Sequence, residues 1–162
     1  METVILLAQA ASVLFIALWL TSGVHDNLRH PKVNEMFTAE VMDMARMREG
    51  FPEAYALVAH RRITSRLLQV LAFRFVVTWE ALSALALWIG CGAMVLAFFG
   101  AAAVETAKAL ALLGALMFTT TWAAFLIVGN YFNYWFGHEG AQNTHFQMTL
   151  WGMAVMIFLV SA

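Results

Sequence analysis

The sequence predicts an all-α fold: an integral membrane bundle of four transmembrane helices, with an amphipathic helical segment between the first and second spans. Three observations predict it. Of 162 residues, 62% are hydrophobic and only 12% are charged, against roughly 45–50% and about 25% in soluble domains. The mean hydropathy is +0.75. The charges are also confined: no Asp, Glu, Lys or Arg occurs from Thr3 to His25, Ala81 to Val104, Ala109 to His138, or Gly140 to Ala162. A soluble chain of this length needs a large polar exterior, and these runs have no polar face.

A hydrocarbon core of about 30 Å takes roughly 20 apolar residues in a helix, whose backbone polar groups must be satisfied within the segment. The spans fall at Val4–Val24, Phe75–Phe99, Ala107–Val128 and Phe146–Ser161, the last of them short. Met1-Glu2-Thr3 lacks the basic start of a cleaved signal, so the first span is expected to stay as an anchor. The single cysteine, Cys91, cannot pair within the chain and reads as a small packing residue. A net charge of −1 leaves no footprint for nucleic acid.

Between the first two spans, residues 26–66 hold seven of the nine basic residues and six acids. Thr38 suits the cap of a short helix and Gly50 its end. Phe37, Val41, Met44 and Met47 then form one apolar stripe, and the helix is expected to lie on the bilayer or over the bundle. Pro52 suits a first helical position, and a continuous helix is expected from there through His60 and Leu67 into the second span. The second polar loop, 129–145, opens with five aromatics between Tyr131 and Phe136, an interfacial belt. The excess of basic residues in loop 26–66 places it in the cytoplasm by the positive-inside rule.

Three constellations are candidates for function. Arg74 and Glu80 are charges at the entry to the second span, where a charge normally faces protein, water or a counter-charge. Their spacing sets them about 120° apart around a helix, so each is expected to reach a different neighbour. His25, His30, His60, His138 and His145 can all gather at one membrane face. Of these His60, His138 and His145 are the candidates for a cofactor, and with Met36, Met42, Met44 and Met47 they suggest copper. The methionines equally read as an apolar helix face, and haem between spans would want histidines inside them. No cofactor is therefore predicted, with haem or copper as the alternative. Finally, Ala107, Ala111 and Ala115 repeat every four residues, a face for close helix packing within the chain or against a partner; Trp135 joins them as a candidate contact residue.

Asp26-Asn27, Arg74, Glu80-Ala81-Leu82-Ser83-Ala84, and Trp122…Gly129-Asn130-Tyr131-Phe132…Trp135 followed by Gln142 resemble a bacterial family known as predicted small integral membrane proteins. The resemblance spans most of the chain and is least in Phe37–Arg62. It implies a bacterial inner-membrane protein of four spans, and it brings no activity or ligand. No phosphate loop, catalytic triad or zinc motif is present in the sequence. The function expected is that of a small non-catalytic subunit stabilising a larger membrane complex, of the respiratory or photosynthetic oxidoreductase kind. The alternatives are a haem- or metal-binding membrane protein and a homo-oligomeric lipid or small-molecule carrier.

Overall fold

A computed structural model describes residues 1–161. Seven α-helices follow one another: α1 (Glu2–Arg29), α2 (Pro31–Met42), α3 (Ala45–Gly50), α4 (Pro52–Val58), α5 (Arg66–Phe98), α6 (Val104–Tyr131) and α7 (Glu139–Val160), with 3₁₀ turns at Ala59–Arg61 and Tyr134–Phe136. No strand occurs among the described residues. Pro31 and Pro52 occupy first helical positions, where the missing N–H costs nothing. Glu2, Glu105 and Glu139 sit in the first turns of α1, α6 and α7, where the helix dipole favours an acid.

Helices α1, α5, α6 and α7 are the long ones, and chain neighbours among them pack antiparallel. Among the described residues, α1, α5 and α6 are long and apolar enough to cross a membrane. α7 carries Glu139, Gln142, Asn143, His145 and Gln147 in its first half and is apolar beyond Thr149. It begins at Glu139, seven residues before the expected Phe146.

The core explains the small-residue stripe. Ala107, Ala111 and Ala115 are fully buried inside the chain. A Cβ on Gly90 would stand 2.6 Å from the Ala111 Cα, and one on Gly114 would stand 2.8 Å from the Leu87 backbone nitrogen. α5 and α6 therefore touch backbone to backbone, as small residues allow in lipid. Val13, Ile16 and Leu20 of α1, Phe118 of α6 and Leu159 of α7 fill the remaining core. Leu82, Leu85 and Ile127 on α5 and α6 stay exposed on the outside, as a lipid-facing surface requires.

α5 spans 33 residues, about 50 Å at helical rise. Trp88 Nε1 donates to Thr21 Oγ1 (2.9 Å) and Asn27 Nδ2 to Glu80 Oε2 (2.9 Å), so roughly three turns of α5 extend past the end of α1. α2 folds back along that extension, where Arg66 pairs with Glu35 and the Ile63 N–H reaches the Met42 carbonyl at 2.8 Å.

Two sequence expectations for this region are corrected. The amphipathic helix is not one helix from Thr38 to Gly50. It starts at Pro31 and breaks at Asp43–Met44, where Met44 takes the left-handed conformation with φ 51°; Thr38 lies inside α2 and donates to the Asn34 carbonyl. Nor does a helix run unbroken from Pro52 into the membrane. Residues 62–65 are non-helical. Ile63 and Thr64 are β-branched and favour extended backbone. The linker is held there by Arg62 Nε on Asp43 Oδ1 (2.6 Å) and Gln69 Nε2 on the Ile63 carbonyl (3.0 Å).

Candidate functional site

Most buried polar side chains lie in the half of the bundle that carries the cap of α2–α4 and the loop 132–138; Gln9 is the exception at the opposite end. The first group is a chain of three. Asn34 Nδ2 donates to Asn27 Oδ1 (2.6 Å), and Asn27 Nδ2 donates to Glu80 Oε2. Three elements, α2, α1 and α5, meet on a carboxylate that is 6% exposed. Arg74 is exposed on another side of α5 and takes no part. The sequence marked Glu80 through its charge and Asn27 only through the family resemblance, whereas Asn34 gave no signal, since an amide is ordinary at a helix end.

The histidines separate. His60 is exposed on the 3₁₀ turn. His145 is inside α7, its ring stacked on Tyr134 at 5.9 Å and packed on Phe125 at 4.9 Å and Trp122 at 5.7 Å. Its Nδ1 lies 3.3 Å from the Tyr134 hydroxyl. Burial pushes that phenol up to about 12. Asn133 adopts φ 51°, which an Asn tolerates, and the reversal brings Tyr134 back under Gly129. A Cβ on Gly129 would sit 2.7 Å from the Tyr134 ring.

His138 lies at the start of α7, 9% exposed, edge-on to Phe37 at 6.4 Å. Burial lowers its pKa, helped by the Arg46 charge and opposed by Glu40 and Glu139. Its Nε2 is buried without a hydrogen-bond partner. Seven residues of helix separate His138 from His145, about 10 Å of rise, and the two rings have different surroundings. No group of three or more His, Cys, Asp or Glu among the described residues is placed to hold a metal.

His138 does line a cavity of about 10 Å³ between the cap and the loop, together with Glu40, Met44, Arg46, Met47 and Phe132. Arg46 closes it from one side: its Nε donates to Glu40 Oε2 and its Nη1 to the Gly137 carbonyl, both at 2.9 Å, and its guanidinium stands 5.6 Å from the Phe37 ring centre. Gly137 is required here, because a Cβ would lie 2.5 Å from the Arg46 Cβ. Trp135 is half-buried beside Phe136, rings 5.9 Å apart. At the opposite end a larger apolar cavity of about 200 Å³ opens between α1 and α5, lined by Leu6, Ala10, Met94, Phe98 and Phe99 among others.

A family model described as predicted small integral membrane protein matches residues 5–162. No curated protein and no solved structure matches the chain.

Proposed function

We propose that this chain, which belongs to the family of predicted small integral membrane proteins, is a non-catalytic four-helix subunit that docks its cap against a larger membrane complex. In this reading α7 is the fourth crossing, the membrane is the bacterial inner membrane, and the cap is cytoplasmic. The last point follows from the seven basic residues between Asp26 and Arg66 and the positive-inside rule.

The observation that carries the reading is the surface of the cap. Val33, Met36, Phe37, Phe51 and Leu57 are large apolar side chains left exposed on α2 to α4, outside the helices apolar enough to span. The same cap carries the ion pairs Arg46–Glu40 and Arg48–Asp43. Large apolar side chains left exposed outside the spanning helices are candidates for an interaction surface. The small-residue face of α6, by contrast, is spent inside the chain and supports no partner.

The test is the native mass of the untagged protein in mild detergent from its own membranes, with copurifying chains identified. Stoichiometric migration with a larger assembly is expected, a respiratory or photosynthetic oxidoreductase being the partner class. Leu57→Asp and Val33→Asp should release it. Migration alone, as monomer or homo-oligomer, would overturn the reading and leave the apolar cap lying on lipid headgroups.

A further inference from the structure

We infer that the cavity between the cap and the loop is a copper(I) site, built from the thioethers of Met44 and Met47 and the imidazole Nε2 of His138. The inference is independent of the docking reading, since either kind of cap can hold an ion.

Methionine in a core is ordinarily a filler of irregular gaps, and three features set this pair apart. The first is placement. Met44 and Met47 are 2% and 4% exposed, whereas Met36 on the same cap is 54% exposed. Met44, at the left-handed turn before α3, and Met47, within α3, both line one small cavity with His138.

The second is the imidazole. A buried nitrogen with no partner costs about 1–3 kcal/mol, and natural structures rarely leave one without a reason. His138 Nε2 is such an atom. The same loop brings Gly137 against Arg46 so closely that no side chain fits there, and this fixes the backbone next to His138 at the cavity that Met44 and Met47 also line.

The third is backbone strain. Met44 sits at φ 51°, a conformation an unbranched L-residue enters at a cost. Such costs cluster where a side chain must be held in one place. A glycine or asparagine would meet the turn more easily, yet neither has a thioether.

The donor set selects the ion. Thioether sulfur and imidazole nitrogen favour copper(I) over magnesium, calcium or manganese, which want oxygen. The one carboxylate on the lining, Glu40, is engaged by Arg46 and offsets its charge, so a monovalent ion meets a nearly neutral wall. The space, about 10 Å³, is that of one water-sized sphere and excludes haem.

The experiment uses the full chain in detergent, reduced with ascorbate under anaerobic conditions and titrated against the copper(I)–bicinchoninate complex. One copper(I) per chain is expected, with X-ray absorption showing both sulfur and imidazole scattering. Met44→Leu/Met47→Leu, which conserves volume, and His138→Gln should each weaken binding at least tenfold. Met36→Leu should not change it. Silver(I), a redox-silent probe, should raise the melting temperature of the wild-type chain and not of the double variant.

If the folded wild-type chain takes no copper from bicinchoninate, or the bound metal shows no sulfur scattering, the assignment is wrong and the cavity holds water at most. The same holds if folded double variant binds as tightly as wild type. The wild-type spectrum decides the question even where a variant fails to fold.

Discussion

Gly90 and Gly92 stand two residues apart on α5 and should answer oppositely to one added methyl. A Cβ at Gly90 would press on the Ala111 backbone, while at Gly92 it would meet nothing within 4 Å. Gly90→Ala should therefore destabilise the α5–α6 contact by about 1–3 kcal/mol, the usual range for overpacking. Gly92→Ala should leave the melting temperature in detergent unchanged or raise it, since alanine is the better helix former. At Glu80 the asymmetry is one of hydrogen bonding. Asn27→Ala strips the carboxylate of its amide donor and should cost about 1–3 kcal/mol or more, whereas Glu80→Gln keeps an acceptor for Asn27 and should be milder. Thermal unfolding of the two variants side by side checks this. Tyr134 offers a spectroscopic handle. Its burial holds the phenol neutral where an unfolded tyrosine would ionise, near 10, so this residue disfavours the fold as pH rises past that value. The tyrosinate absorbance should contain a component with its midpoint at about 12 that Tyr134→Phe removes. At this scale the sequence identified the charged and aromatic members of the site, because charge and ring size are visible in a string of letters. It marked Asn27 only through the family resemblance and did not identify Asn34 or Gly137, whose importance arises only when distant segments meet.

At the scale of elements, the long apolar helices were legible and the cap was not. A charge-free run of twenty residues has one stable conformation in lipid, so α1, α5 and α6 follow from composition. The cap obeys weaker rules. Phe37, Val41, Met44 and Met47 keep helical spacing, yet the chain turns at Met44, because periodicity records which residues are apolar and not where tertiary contacts break a helix. The contacts that decide the break are Asp43 with Arg48 (3.2 Å) and with Arg62 (2.6 Å). One carboxylate thus joins the α2–α3 turn to the linker before α5. Both pairs are partly exposed, and such pairs are worth roughly 0–1 kcal/mol each. Asp43→Asn should leave the melting of the bundle nearly unchanged while raising amide hydrogen exchange across residues 43–65. Faster exchange in α6 as well would mean that the cap and bundle unfold as one unit.

For the whole molecule, the packing of α7 makes a definite forecast of its path through the bilayer. Gly152 of α7 abuts Phe118 at 3.1 Å from the position of an added Cβ. Further along, Gln9 Nε2 donates to the Phe158 carbonyl at 2.8 Å, which ties the far end of α7 to the first half of α1. Trp19 and Trp151 meet edge to face at 6.3 Å between them. The helix thus runs the full depth of the bundle beside α6 and α1, and its second half, from Thr149 to Val160, carries no charge. If α1 crosses, α7 alongside it crosses too, and both ends of the described chain emerge on the side opposite the cap. Introduced cysteines can read this once the buried native Cys91 is replaced by alanine. In intact cells, Glu2→Cys and Ser161→Cys should react with a membrane-impermeant thiol reagent, while Glu53→Cys on α4 should react only after the cells are opened. Labelling of Glu2→Cys and Ser161→Cys from opposite sides would reduce the crossings to three. Labelling of Glu53→Cys in intact cells would invert the orientation, and would place the seven basic residues of the cap outside. For four of them the arrangement would then be explained by the pairs they form within the cap, Arg62 and Arg48 on Asp43, Arg46 on Glu40 and Arg66 on Glu35, rather than by the membrane.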